Sequence, residues 1–218
     1  MFVGLKMLKG FHPVTPQTPL SEAKKILEKE EYWMLLVTEG EKLVGYVRHE
    51  DLSAALPSML TTLERHEALY LISKLTVDMV MRKDITTVPP DMEIEQAAQI
   101  MHDKNLAGLA VLSEKGRLIG YITRTVMLEV LVEEMGLALG GSRLVFEVQD
   151  KPGVIREVAE VIDSKAGSIL SASTFSHKNR RMLVIRIDAK DDSAVRQGLE
   201  EKGYTMESAK DFSPEWSE

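Results

Sequence analysis

The stretch VPPDMEIEQAAQIMHDKNLAGLAVLSEKGRLIGYITRTVM, residues 88–127, decides the fold because the chain contains it twice. Residues 14–52, VTPQTPLSEAKKILEKEEYWMLLVTEGEKLVGYVRHEDL, form the other copy. The alignment needs one gap, near Gly40, and it pairs Gly45-Tyr46 with Gly120-Tyr121. Self-similarity over nearly forty residues indicates two copies of one supersecondary unit.

Each copy has the pattern strand, helix, strand, strand, helix (βαββα). In the second copy Ile94, Ala97 and Met101 recur at helical spacing, and acidic residues lie near the predicted helix start, where the helix dipole favours them. The segments LAGLAVL, from Leu106, and RLIGYIT, from Arg117, then predict a hairpin. A polar, helix-rich connector is predicted between the copies.

The pattern changes after Met135. Glycines at 136, 140 and 141 predict a flexible hinge, and beyond them the order βαββαβ predicts a ferredoxin-like unit. The fold class is therefore α/β (α+β), a tandem βαββα pair followed by a ferredoxin-like βαββαβ domain. The predicted parts are residues 1–74 (first copy with its connecting helix), 75–136 (second copy), 137–142 (hinge), 143–210 (third domain) and 211–218 (polar tail).

Composition narrows the class of function. The chain of 218 residues has a formal net charge of −7, which argues against a nucleic-acid or anionic-membrane surface. It has no cysteine, so disulfides and thiolate chemistry are excluded. It has no apolar run long enough to cross a membrane and no signal-peptide pattern. We expect a cytoplasmic protein that contacts neither membrane nor nucleic acid.

The repeated unit resembles the CBS domain. The resemblance lies in GYVRHED, from Gly45, and GYITRTV, from Gly120, which match a strand ending in glycine, two apolar residues, Ser or Thr, two variable residues and Asp. The preceding segment TVDMVMRKDITTVPP, from Thr76, is also similar to the family's lead-in. The resemblance implies a compact disk whose clefts bind adenine nucleotides or related adenosyl compounds.

Neither signature is complete. The first copy keeps Asp51 but has Arg48 at the Thr position, and the second keeps Thr123 but has Val126 at the Asp position. In the family the Thr contacts phosphate and the Asp contacts ribose, and Arg48 can bind phosphate as a charged fork. The resemblance thus implies a nucleotide site in the first half, for AMP, ADP, ATP or S-adenosylmethionine. Its predicted residues are Trp33, Met34, Arg48, Asp51, Thr86, Thr87 and Thr123.

Two of these predictions have a plainer alternative. Both clefts could be degenerate, which would leave the pair as a scaffold. Trp33 could stack on an adenine or could belong to a core or interface.

The third domain resembles the ACT domain. The resemblance lies in VQDKPGVI, from Val148, followed by AGSIL, from Ala166. It implies an amino-acid site at the helix start, formed by Asp150, Gly153, Val154 and Ile155, where free amides can hold a carboxylate. The alternative is a domain that pairs edge to edge and binds nothing.

No pattern of catalytic or metal-binding residues is present. The five histidines show no metal-ligand spacing, and neither a nucleophile elbow nor a phosphate-binding glycine loop occurs. The basic run HKNRR, from His177, reads as a solvated turn rather than as a nucleic-acid contact.

The order CBS-CBS-ACT resembles the acetoin-utilisation accessory proteins of the AcuB type. We therefore expect a homodimeric regulatory sensor, not an enzyme, which transmits ligand binding to an unidentified partner protein. The alternative is a ligand-free scaffold for oligomerisation.

Overall fold

The computed structural model describes residues 1–30, 32–55, 74–165 and 167–215. The chain divides into two units, Met1–Leu128 and Glu129–Glu218, and the helix Arg124–Glu134 spans the division. The predicted connecting helix lies almost entirely outside the described residues.

The first unit contains both copies of the repeat. It begins with a short helix, α1 (Val3–Lys6). The first copy follows as α2 (Leu20–Lys29), β1 (Met34–Glu39), β2 (Lys42–Arg48) and α3 (His49–Ala55). The second copy is β3 (Thr87–Val88), α4 (Ile94–Asp103), β4 (Gly108–Leu112), β5 (Leu118–Thr123) and α5 (Arg124–Glu134). The predicted first strand of the first copy is reduced to one parallel bridge, between Val14 and Val37.

The two copies share one strand register. Met34 pairs with Arg48 at the start of the first hairpin, and Gly108 pairs with Thr123 at the equivalent place in the second. A register shift follows Val37 in the first copy and Val111 in the second. The structure therefore confirms that the sequence repeat is a structural repeat.

The lead-in segment of each copy pairs with the other copy. The backbone of Arg82 exchanges two hydrogen bonds with that of Tyr46, at 2.9 and 2.8 Å, and Leu8 pairs with Tyr121 in the same way. This approach requires the glycine that precedes each tyrosine, since a Cβ at Gly45 would lie 2.4 Å from the carbonyl oxygen of Arg82. The Gly-Tyr dipeptide of each signature is thus the place where the lead-in segment of the other copy pairs.

Apolar side chains between the copies form a small shared core. Leu36, Tyr46 and Ala110 are buried there, and Met34 and Ile85 pack against them. A larger core lies between α2 and the first hairpin, where Leu20, Ala23, Leu27, Leu35, Val37, Val47 and Leu52 are buried. Leu20, Ala23 and Leu27 align with Ile94, Ala97 and Met101 of the second copy, whose spacing predicts a helix face, and all six are buried.

The second unit contains β6 (Ser142–Val148), α6 (Val154–Ser164), β7 (Ile169–His177), β8 (Arg180–Ile187) and α7 (Ser193–Glu201). The antiparallel strands have the order β6-β8-β7, with Phe146, Val158 and Leu183 in the core. The predicted last strand is a single bridge between Met206 and Phe146. It ends there because Ser208 and Asp211 form a capping box that starts another helix, α8 (Ala209–Phe212).

A side chain of the C-terminal segment packs on the other face of this sheet. Val145, Met182 and Val184 are buried on this face, and Phe212 packs against them. Phe212 also lies edge-on to His177, with ring centroids 5.3 Å apart. Residues 211–215, predicted as a polar tail, therefore form helical turns against the sheet, while residues 216–218 lie outside the described residues.

The predicted hinge contacts this sheet as well. The guanidinium of Arg186 donates hydrogen bonds to the carbonyl oxygens of Met135 and Gly140, both at 3.1 Å. The Ser171 hydroxyl donates a second bond to Met135, at 3.0 Å. Residues Leu137–Leu139 between them form one 3₁₀ turn.

Candidate functional site

A cleft of about 350 Å³ lies in the first unit, and both copies contribute to it. The first copy supplies the start of β1, the end of β2 and the start of α3. The second supplies its lead-in segment and the loop before β4. The lining residues are Trp33, Met34, Tyr46, Arg48, His49, Glu50, Asp84, Ile85, Thr86, Asn105, Leu106, Ala107 and Gly108.

The crossed lead-in segment brings these elements together. The pairing of Arg82 with Tyr46 places residues 84–86 beside the end of β2. There Arg48 is the last strand residue, and His49 and Glu50 begin α3. Side chains at a strand-to-helix junction are held by both elements, which makes the junction a suitable place for a binding site.

A cluster of charged side chains lies at this junction. The carboxylate of Asp51 accepts hydrogen bonds from the backbone amide and the Nε of Arg48, both at 3.1 Å. It also accepts a bond from Nη2 of Arg82, at 2.8 Å. The remaining Nη1 of Arg48 contacts the carboxylate of Glu50. Arg48 is therefore held in place from two sides.

These contacts change the ionisation of Asp51. Burial opposes the charged form, but the hydrogen bonds from Arg82 and Arg48 outweigh it and lower the pKa of Asp51 to about 2. Both carboxylate oxygens accept bonds from the two guanidinium groups. Since a carboxylate has about four acceptor sites, little capacity is left for a ligand.

The lead-in segment of the second copy lines the cleft with a carboxylate, Asp84, and a hydroxyl, Thr86. Asp84 is exposed, and it interacts electrostatically with Arg82. Burial raises the pKa of Tyr46, and the negative charge of Asp84 raises it further. The Nζ of Lys104 lies 3.5 Å from the hydroxyl oxygen of Thr86.

The equivalent cleft on the other side of the repeat is filled. Phe11, Tyr32 and Met34 stand where the open cleft has Ile85, Leu106 and Gly108. The rings of Phe11 and Tyr32 meet the ring of Tyr121 edge-on, with centroids 5.9 and 6.1 Å apart. The space that remains is about 10 Å³. Of the two equivalent positions in the repeat, the described residues therefore leave one open at ligand size and fill the other.

A second depression, of about 440 Å³, lies in the second unit at the start of α6. Gly153 precedes the helix with φ of 89°, a left-handed conformation that favours glycine. Asp150 forms an ion pair with Arg181, and Arg156 and Thr174 also line the depression. The first-turn amides of a helix have no partner within it, so those of Val154 and Ile155 are suited to an anion.

The basic run in the second unit is neutralised by carboxylates. Arg180 contacts Glu147 and Glu207, Arg181 contacts Asp150, and Lys178 contacts Glu215. Among the described residues, no group of three acidic or histidine side chains is arranged to hold a metal ion. No helix within the described ranges is long and apolar enough to cross a membrane.

Comparison with protein families assigns both units. The CBS domain model matches residues 3–58 and 77–133, which together are more than half of the chain. The chain belongs to the CBS-domain family. The ACT domain model matches residues 142–202. The predicted tandem CBS pair with a C-terminal ACT domain is thus confirmed.

Curated relatives share the CBS pair. A CBS domain-containing protein of Dictyostelium discoideum is 29% identical over 128 residues, which are 58% of this chain and 88% of that protein. The inosine-5'-monophosphate dehydrogenase of Thermoplasma acidophilum is 25% identical over 117 residues, which are 54% of this chain but 21% of the enzyme. The resemblance to the enzyme is therefore confined to its CBS domains.

Solved structures with the same fold cover the same part of the chain. A Vibrio cholerae protein assigned to acetoin utilisation (AcuB) has a TM-score of 0.53 at 22% identity, over 65% of this chain and 98% of that one. At this identity the likeness shows the fold alone. CBSX2 in complex with AMP has a TM-score of 0.50 at 28% identity, over 61% of this chain and 96% of that one. CBSX2 is a CBS-pair protein of Arabidopsis thaliana.

The CBS pair brings together four of the seven residues predicted for the nucleotide site. Trp33, Met34, Arg48 and Thr86 line the open cleft. The other three do not line it. Asp51 lies behind Arg48, bound by two arginines, and Thr87 pairs in β3 with Ala110. Thr123 is buried at the end of β5, where its hydroxyl accepts a bond from the amide of Val126 at 3.3 Å.

Several lining residues were missed by sequence reasoning. Tyr46, Glu50 and Asp84 all line the cleft, and residues 105–108 form its opposite wall. The signal that could have found residues 84–86 is the lead-in segment itself, which directly precedes a strand. This segment meets the end of β2 because Arg82 pairs with Tyr46 of the other copy. Local sequence patterns do not predict such pairing between distant segments.

In the ACT domain all four predicted residues, Asp150, Gly153, Val154 and Ile155, line the depression. Val154 is buried at the base of α6, while Ile155 is exposed.

Proposed function

We propose that this chain is a non-catalytic regulatory protein whose CBS pair binds an adenosine-containing ligand in the open cleft. The observation that carries the proposal is the cleft itself, which both copies line and which contains the Arg48 of the first signature. Its volume of about 350 Å³ falls in the usual range for small-molecule sites. The AMP complex of CBSX2, a CBS-pair protein with the same fold, supports this class of ligand.

The proposed contacts follow from the side chains present. Trp33 is 66% exposed, so its ring is available to stack on an adenine. Arg48 offers charge to a phosphate, and Thr86 offers a hydroxyl. Asp51 acts here as a positioning residue that holds Arg48, in place of the ribose contact that the family signature implies.

The experiment is calorimetric titration with AMP. We expect wild-type protein to bind one AMP per chain and to gain thermal stability, because a ligand that binds only the folded state stabilises it by mass action. Ala107→Tyr should fill the cleft and weaken binding at least about tenfold, a loss of about 1.4 kcal/mol. Lys115→Tyr, which adds the same ring on the exposed hairpin turn, should bind as wild type does.

The ligand proposal fails if AMP, ADP, ATP and S-adenosylmethionine give neither heat nor a thermal shift at millimolar concentration. In that event the competing function, a ligand-free scaffold, is favoured. Two observations support the scaffold already: the second cleft is filled by aromatic rings, and Asp51 is occupied by arginines.

The ACT domain is proposed to bind an amino acid at the start of α6. The carboxylate would meet the first-turn amides, and Asp150 would accept from the ammonium group once it is released from Arg181. The same thermal-shift assay with the twenty amino acids tests this site independently of the cleft.

The homodimer and the regulated partner protein remain predictions. Sedimentation velocity with and without AMP measures the first directly. A monomer in both conditions would contradict the dimer and, with it, the scaffold function.

A further inference from the structure

The charges around the open cleft do not favour a highly charged anion. Of the lining residues, Arg48 is the permanent cation, whereas Glu50 and Asp84 are both carboxylates. Arg48 is already engaged, with its Nε and Nη2 on Asp51 and its Nη1 on Glu50. The neighbouring Arg82 is likewise bound to Asp51. The positive charge of the cleft is therefore largely neutralised before any ligand enters.

We propose that Glu50 and Asp84 determine ligand specificity, and that the cleft selects adenosine ligands with at most one phosphate over ADP and ATP. This inference rests on the proposed function, since it concerns the ligand of the same cleft. Glu50 acts by competing with phosphate for Arg48, and Asp84 acts by repelling further phosphates.

The competition at Arg48 follows from geometry. A phosphate can bind the N–H group that remains on each Nη of Arg48, but it then lies beside the Glu50 carboxylate on Nη1, which repels it. Because 64% of the Glu50 side chain is exposed, this carboxylate can swing into water at little cost. One phosphate can therefore replace one carboxylate at Arg48, and it adds at most about one unit of negative charge.

Further phosphates find no equivalent partner. Asp51 retains Arg82, and Arg124 is bound to Asn105 and to the carbonyl oxygen of Met101. The Nζ of Lys104 lies 3.5 Å from the Thr86 hydroxyl. Asp84 adds a negative charge to the cleft, and its electrostatic partner Arg82 is already bound to Asp51. Like charges brought together in a partly desolvated cleft repel strongly, and solvent screens them less than on an open surface.

The test compares adenosine, AMP, ADP and ATP on the full chain by calorimetry, in EDTA and again in excess Mg²⁺. The variants are Glu50→Gln and Asp84→Asn, with Glu114→Gln as a matched control on the exposed turn between β4 and β5. We expect wild type to bind AMP at least about tenfold more tightly than ATP. Each cleft variant removes one negative charge, which favours the more highly charged ATP over AMP, so the ratio should narrow at least threefold. The control should match wild type.

The outcomes separate the selectivity from the proposed function. If ATP binds wild type as tightly as AMP in either buffer, or if both cleft variants keep the wild-type ratio, the selectivity is wrong while the nucleotide site stands. If none of the four compounds binds, the proposed function fails and the selectivity fails with it. Both the proposed function and the proposed selectivity are supported if wild type binds adenosine and AMP but binds ATP weakly, and if the variants bind ATP more tightly than wild type does.

Discussion

Asp51 shows how one side chain can keep its place in a signature and take a different role. It occupies the Asp position of the first copy, yet its carboxylate is bound by Arg48 and Arg82. The Arg48 that replaces the signature Thr supplies one of these guanidinium groups. The Arg at the signature Thr position thus engages the Asp to which the family signature gives the ribose contact.

This cluster predicts a pH-dependent contribution to stability. The folded-state pKa of Asp51, about 2, lies below its ordinary value of 3.8. The contribution is therefore fully present above about pH 4 and is lost as the pH falls through the folded-state pKa. Partial exposure of the arginines reduces its size to about 1–2 kcal/mol.

Asp51→Asn should lower the free energy of unfolding by that amount at pH 7, as measured by urea denaturation. Near pH 2 the difference between variant and wild type should largely disappear. Glu114→Gln serves as the control, since this side chain is exposed on the turn between β4 and β5 and its loss of charge should leave stability unchanged. A variant as stable as wild type at pH 7 would show that the two arginines do not stabilise Asp51.

The two hairpins have the same backbone register but line clefts of different volume. They share register and bulge, but the residues that face each cleft differ in size. Leu106 and Gly108 leave the open cleft about 350 Å³, whereas Tyr32 and Met34 help to reduce its counterpart to about 10 Å³. The size of the side chains near the strand starts, rather than backbone geometry, therefore decides which of the two clefts is open.

We expect Tyr32→Leu to destabilise the chain without affecting AMP binding in the open cleft. The change removes the ring contact with Tyr121 and the hydrogen bond, at 2.9 Å, from the Tyr32 hydroxyl to the carbonyl oxygen of Gly10. Each is worth about 0.5–1.5 kcal/mol. Tyr32→Phe keeps the ring and so isolates the hydrogen bond. Equal stability of all three proteins by urea denaturation would contradict the assigned packing.

The CBS pair folds as one unit because its copies exchange lead-in segments. Arg82 pairs with Tyr46 and Leu8 with Tyr121, so each hairpin is completed by the other copy. Neither copy has this edge partner by itself. Exchange of this kind also explains why the open cleft contains residues from both halves of the repeat.

Gly45→Ala tests the exchange. The added Cβ would lie 2.4 Å from the carbonyl oxygen of Arg82, so the lead-in segment must move away from the strand. We expect a loss of about 2–3 kcal/mol in the free energy of unfolding, together with weaker AMP binding. Gly10→Ala is the matched control, because its Cβ would meet nothing within 4 Å. Wild-type stability of Gly45→Ala would contradict the close approach.

The sequence by itself determined the repeat, the order of the elements, the CBS and ACT assignments and four of the residues that line the cleft. These follow from local periodicity and from motifs, which neighbouring residues along the chain express directly. Only the tertiary structure decided that one cleft is open and the other filled, that Asp51 is held by Arg82, and that Phe212 covers the ACT sheet. Each of these depends on side chains that are distant in sequence meeting in space, where their volumes and charges compete for the same position.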